Sequence, residues 1–240
     1  MIPVIAGFVT MTGAIWYYWG DLDSSTTPKY VVPVTTLIYI AAYFLLKAED
    51  EVDDGLSEFK MGINIQDKGA LAALSLLAVM GVYYCFRAIL FPADTIEAFG
   101  IGEATQEMLD AGLGAPSEVT VAVGGSIFLI YMLWIIITIM DGAKGKWAII
   151  HPGIFFLLAT TILNYVSLVD NAGAEVIRPV SDQLTIDSLT GPLALLLVLF
   201  SYYRLRDEGI EDGMLWNGEP MSPNFFNIMV ITWALGLGLM

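Results

Sequence analysis

Residues 119–140 read "VTVAVGGSIFLIYMLWIIITIM", an apolar run of 22 residues that contains no charged side chain. A helix needs about 20 mostly apolar residues to cross the hydrocarbon core of a bilayer. This stretch is therefore predicted to span a membrane. The composition agrees, because 57% of the chain is hydrophobic and only 15% is charged, against about half and about a quarter in soluble domains.

Further apolar segments accompany this run, and together they predict an all-α, polytopic transmembrane bundle of about seven spans. The predicted spans are 2–19, 30–47, 69–91, 119–140, 148–169, 189–205 and 224–240. The first, sixth and last are short, so six spans plus one partly inserted helix is the alternative count. The whole chain, 1–240, is expected to form a single integral membrane domain.

Three tyrosine pairs lie near the C-terminal ends of predicted spans: Tyr17–Tyr18, Tyr83–Tyr84 and Tyr202–Tyr203. Tyrosine collects at the membrane–water interface because its ring is apolar and its hydroxyl hydrogen-bonds water. The pairs are therefore predicted to mark span ends.

Basic residues are distributed unevenly between the two sides of the predicted bundle. Seven of the ten lie on the side of the N-terminus and three on the other. Because basic residues collect on the cytoplasmic side of membrane proteins, we expect the N-terminus and the loop 141–147, "DGAKGKW", on the cytoplasmic, stromal or matrix side. Thylakoid and inner mitochondrial-type membranes are both candidates.

The loops are acidic and give the chain a net charge of −15. Such a surface repels nucleic acid, which is therefore not an expected partner. In the loop 92–117, Asp94 and Glu97 have the spacing of a capping box, and apolar positions follow. We expect short interfacial helices there.

The predicted spans lack a central Asp, Glu, Lys or Arg. Ionisable side chains inside a membrane usually mark ion or proton pathways. Their absence argues against a proton pump, a carboxylate-driven transporter and an acidic intramembrane protease. With one histidine and one cysteine, a zinc cluster is not expected either. The sequence therefore predicts neither catalytic nor metal-ligating residues, and no enzyme.

Residues 6–46, "AGFVTMTGAIWYYWGDLDSSTTPKYVVPVTTLIYIAAYFLL", loosely resemble the first two helices of microbial rhodopsins. That family holds retinal on a lysine in its last helix, and segment 224–240 contains no lysine. The family also uses carboxylates in its third helix, and segment 69–91 has none. The resemblance therefore implies neither retinal nor a light-driven pump in this chain.

The single histidine, His151, lies in "WAIIHPGIFF" near the start of the fifth predicted span. Its favoured interpretation is an interfacial side chain that reaches water or a lipid headgroup. The alternative is coordination of one metal-centred ring, such as a chlorophyll, because a neutral imidazole nitrogen is a good ligand. Phe155 and Phe156 are then the candidate walls of the pigment site.

Thr160, Asn164 and Ser167 lie at helical spacing along the same predicted span. Polar side chains in hydrocarbon seek hydrogen-bond partners, so this stripe is expected to make polar helix–helix contacts.

These features favour a non-catalytic accessory or structural subunit that packs against other membrane protein subunits and membrane lipid. The larger complex is a candidate energy-converting one, photosynthetic or respiratory, and the candidate ligands are chlorophyll, carotenoid and lipid. The alternative is a small transporter or channel for a neutral or lipid-like solute.

Overall fold

The structure of the chain is a computed structural model that describes residues 2–18, 27–48, 62–98, 117–166, 189–213, 215–216 and 219–220. These parts are predominantly helical. The helices are α1 (Ile2–Tyr18), α2 (Thr27–Ala48), α3 (Lys68–Leu90), α4 (Pro92–Ala98), α5 (Glu118–Asp141), α6 (Trp147–Val166) and α7 (Thr190–Leu205), followed by a 3-10 helix at Arg206–Glu208. Strands β1 (Leu215–Trp216) and β2 (Glu219–Pro220) pair antiparallel.

Three of the described helices are long and apolar enough to cross a membrane: Lys29–Ala48, Lys68–Leu90 and Glu118–Asp141. Two further apolar helices, Ile2–Tyr18 and Ile149–Ala159, are shorter. The prediction of a predominantly helical chain that contains helices long and apolar enough to cross a membrane is confirmed. The count of seven spans stays a prediction, and its last segment, 224–240, lies outside the described residues.

The chain divides into two compact units. One comprises Met1–Met61 and Val79–Trp134, and the other comprises Gly62–Ala78 and Ile135–Met240. The chain changes unit three times: after Met61, inside α3 and inside α5. The single membrane domain expected for residues 1–240 stays a prediction.

In the first unit, α1 and α2 pack together through both apolar and polar contacts. The rings of Phe8 and Tyr39 stack with centroids 5.1 Å apart. The hydroxyl oxygens of Thr12 and Thr36 lie 3.0 Å apart, and Thr36 also donates to the Val32 carbonyl at 2.8 Å. Thr36 is buried, so the hydrogen bond between Thr12 and Thr36 joins the two helices at a point where water does not compete for it.

Glycines let helices of the first unit approach closely. A side chain at Gly125 on α5 would place its Cβ 2.8 Å from the Cβ of Ala88 and 3.1 Å from the carbonyl oxygen of Cys85. Gly81 on α3 faces the side chain of Met132 in the same way. Small residues at such points are the usual means by which membrane helices gain van der Waals contact.

In each tyrosine pair, one side chain is exposed and the other is partly buried within the protein. Tyr17, Tyr83 and Tyr203 are 81%, 59% and 71% exposed, while their partners Tyr18, Tyr84 and Tyr202 are half-buried. The Tyr18 hydroxyl lies 3.1 Å from both the Ile89 and Leu90 carbonyl oxygens. These are end carbonyls of α3, which lack helical partners. One tyrosine of each pair thus has the exposure expected of a belt residue.

The prediction of short helices in the loop 92–117 is met for its beginning, since α4 covers Pro92–Ala98. Residues 99–116 lie outside the described residues. The helix begins at Pro92, so Asp94 lies in the first turn and is not the N-cap that the capping-box pattern predicts. Proline is favoured at the first helical position because its φ is already helical and its missing N–H is not needed there.

Candidate functional site

His151 lies one turn after the start of α6 and is only 3% exposed. Its ring packs against that of Tyr202 on α7, with centroids 4.4 Å apart and planes tilted by 45°. The expectation that the imidazole reaches water or a headgroup is therefore wrong. The physical reason is the rotation of α7 about its own axis, which places the Tyr202 ring against the imidazole.

Tyr202 extends this contact toward charged groups. Its hydroxyl donates to Glu211 Oε1 at 2.5 Å, and Arg206 Nε lies 3.3 Å from the same oxygen. We call His151, Tyr202, Arg206 and Glu211 the His151 cluster. Its carboxylate accepts a phenol hydrogen bond and is paired with a guanidinium, so the cluster can fasten α6, α7 and the turn after α7 together.

The turn after α7, Arg206–Gly213, is held in place by backbone contacts to the loop 141–147. The N–H of Gly145 donates to the Gly209 carbonyl at 2.9 Å, and the N–H of Trp147 donates to the Ile210 carbonyl at 3.1 Å. Gly145 and Gly209 have φ of 70° and 76°, a conformation that favours glycine because other side chains clash there. These backbone hydrogen bonds therefore connect the loop 141–147 to the turn that carries Arg206 and Glu211 of the His151 cluster.

A second group of contacts fixes the start of α3 to the end of α7. Arg204 forms an ion pair with Asp67, whose other oxygen accepts from the N–H of Ala70 at 2.7 Å. Glu208 accepts from the N–H groups of Gln66 and Asp67 at 3.2 and 2.6 Å. The Arg204 guanidinium, together with the Ala70 N–H, holds the pKa of Asp67 below its ordinary value. Carboxylates thus satisfy backbone donors where α3 begins.

Of the two candidate pigment walls, Phe155 lies nearly on the histidine's side of α6, because four residues advance the helix by about 40° beyond one turn. Phe155 is half-buried. Phe156 is 44% exposed and lies roughly 140° around the helix from His151. The geometry therefore groups Phe155 with His151 and separates Phe156 from it. The pigment site itself stays a prediction.

The predicted polar stripe falls mostly outside the described residues. Thr160 and Asn164 belong to α6, but their side chains are not described, and Ser167 lies beyond its end. The polar contacts predicted for these residues stay a prediction. The neighbouring Thr161 was not selected from the sequence. Its hydroxyl oxygen is buried and has no hydrogen-bond partner among the described residues.

Sequence reasoning missed the partners of His151. The sequence pattern predicts Tyr202 only as a belt residue and does not distinguish Arg206 and Glu211 from the other charged residues outside the predicted spans. The available signal was the density of polar and aromatic residues in "SYYRLRDEGIED", 201–212, directly after an apolar run. Among the described residues, no group of three or more His, Cys, Asp or Glu side chains could hold a metal ion.

No protein-family model matches this chain, and neither a curated protein nor a solved structure matches it. Its own residues and their geometry therefore carry any functional inference.

Proposed function

We propose that this chain is a non-catalytic integral membrane subunit that packs within a larger membrane assembly. The observation that carries the proposal is the surface of its candidate spans. Only 11% of the span in α2, and 39% of those in α3 and α5, is buried within the chain. So much apolar helix surface requires neighbours other than water, and lipid and other membrane subunits are the available ones.

The polar groups of the second unit support a structural role for that unit. Tyr202, Glu211 and Arg206 contact one another, and Asp67 and Glu208 bind an arginine and backbone N–H groups. These side chains are engaged in holding helix ends together. A rigid end of this kind suits a subunit that presents fixed helix surfaces to its neighbours.

The proposed topology has seven spans, with the N-terminus and the loop 141–147 on the cytoplasmic, stromal or matrix side. The seven-to-three basic distribution supports this orientation. Single cysteines placed at Lys144 and at Ser117, in a Cys85→Ala background, provide the test with a membrane-impermeant thiol reagent. We expect labelling from opposite sides of sealed vesicles, and labelling from the same side would contradict the topology.

Chlorophyll, carotenoid and lipid remain the proposed ligands, in an energy-converting membrane. At 3% exposure the His151 imidazole has little surface to offer a metal-centred ring. Lipid or carotenoid on the exposed helix faces therefore fits the geometry better than a pigment on His151.

The decisive experiment extracts the chain from its native membrane in mild detergent and measures native mass and the visible spectrum together. We expect co-migration with other subunits at a mass far above the 26.2 kDa of the chain. A monomer or homo-oligomer that moves a neutral solute across liposomes would overturn this proposal in favour of a transporter or channel.

A further inference from the structure

The outer face of α2 is apolar along most of its length. It comprises Val31, Val34, Leu37, Ile38, Phe44 and Leu45, each more than half exposed. At 100° per residue these side chains occupy an arc of roughly 140° around the helix. A continuous apolar arc of this width needs an apolar neighbour.

Lysines stand near both ends of α2, about 60° around the helix from the edge of the apolar arc. Lys29 and Lys47 are 18 residues apart, which is five helical turns, so both lie on the same side of α2 and about 27 Å from each other along its axis. The hydrocarbon core of a bilayer is about 30 Å thick. Lysine side chains near span ends extend outward to the headgroups, so the spacing matches the two headgroup layers.

Aromatic rings accompany each lysine. Lys29 Nζ lies 5.1 Å from the centroid of the Trp16 ring, and Trp16 meets Tyr30 edge-on at 6.4 Å. At the other end, Lys47 Nζ lies 5.7 Å from the Tyr43 ring centroid. Tryptophan, tyrosine and lysine together are the usual residues of the headgroup layer.

The outer face also lacks the glycines through which α3 and α5 approach each other closely. Close contacts inside the first unit use glycine, as Gly125 does against Ala88 and Gly81 does against Met132. The arc on α2 contains two small residues, Ala41 and, at the helix end, Ala48, among large branched and aromatic side chains. Membrane helix interfaces are enriched in small residues, so this face fits fluid acyl chains better than another helix.

We propose that the outer face of α2 is a lipid-contact surface, with phospholipid acyl chains along its length and headgroup phosphates at Lys29 and Lys47. In the assembly proposed above, α2 then faces the bilayer, and other subunits bind elsewhere on the chain.

The test uses nitroxide labels on Val31→Cys, Ile38→Cys and Leu45→Cys, three positions on one line of α2, in a Cys85→Ala background. Collisions with oxygen, which partitions into lipid, and with a water-soluble nickel chelate are measured by electron paramagnetic resonance. Measurements are made in vesicles of phosphatidylcholine and phosphatidylglycerol and in the native membrane. Tyr43→Cys, at a buried position of the same helix, is the control.

We expect the ratio of oxygen to nickel collisions to be highest at Ile38 and severalfold lower at Val31 and Leu45, with little oxygen access at Tyr43. Greater nickel access at Ile38 than at the ends would overturn the proposal. Loss of oxygen access at all three positions in the native membrane, with access kept in vesicles, would also overturn it. That second result would show a protein neighbour on α2 and would leave the accessory-subunit function standing.

Discussion

Replacing Tyr202 with phenylalanine removes one hydroxyl and leaves the ring in place. The contact with His151 at 4.4 Å survives, while the hydrogen bond to Glu211 is lost. A hydrogen bond to a charged group contributes about 1.5–3 kcal/mol net. Because Arg206 still lies 3.3 Å from the same carboxylate oxygen, the carboxylate stays paired, and we expect a loss near the lower end, about 1–2 kcal/mol.

The assay is reversible unfolding in mixed detergent–SDS micelles, followed by helical circular dichroism. Tyr203→Phe is the matched control, since Tyr203 is adjacent and 71% exposed, and its loss should stay below about 0.5 kcal/mol. A double-mutant cycle with Glu211→Ala, which removes the acceptor, isolates the pair and should give a coupling energy of about 1 kcal/mol. Equal losses of unfolding free energy in the Tyr202→Phe and Tyr203→Phe variants, or a coupling energy of zero, would refute this account of the cluster.

Three further predictions concern other contacts. Thr36→Val should lower the free energy of unfolding by about 0.6–1.7 kcal/mol in the same assay. Thr10→Val should cost less, because Thr10 bonds only to carbonyls of its own helix; the reverse order would contradict the interhelical role of Thr36. Arg204 lowers the pKa of Asp67 from its ordinary value of 3.8, so the stabilisation by the ion pair is present above that value and is lost as pH falls through the lowered pKa. The free energy of unfolding should therefore fall less between pH 5 and pH 3 in the Asp67→Asn variant than in the native chain. An equal fall in both proteins would count against the ion pair. His151→Phe keeps an aromatic ring beside α7 and should leave the visible spectrum of the purified assembly unchanged; loss of an absorption band would establish a ligand at this residue.

The positions of the helices could be predicted well from the sequence, because long apolar runs and their charged ends are local properties. Segment 119–140 is α5 to within one residue at each end, and segments 69–91 and 148–169 agree with α3 and α6 to within three residues. Bilayer thickness sets the length of such runs in advance of any tertiary contact.

The environment of His151 could not be predicted in the same way. It depends on the rotation of α7 and on Glu211, which is 60 residues away along the chain. The turn that returns Glu211 toward Tyr202 uses Gly209 at φ 76°. A single histidine beside a proline carries no information about these partners, so an interfacial position was the natural expectation. The same holds for Asp67, whose partner Arg204 is far away in the sequence.

The contact between Tyr18 and the end of α3 has a consequence for biosynthesis. The carbonyl groups of Ile89 and Leu90 follow the phenol by 71 and 72 residues. At about 5–20 residues per second, ribosomes deliver them about 4–14 s after Tyr18. During that interval the Tyr18 hydroxyl cannot form these two contacts. The end of α1 therefore lacks this link to α3 until Leu90 has been synthesised, and slower synthesis of residues 19–90 would lengthen the interval.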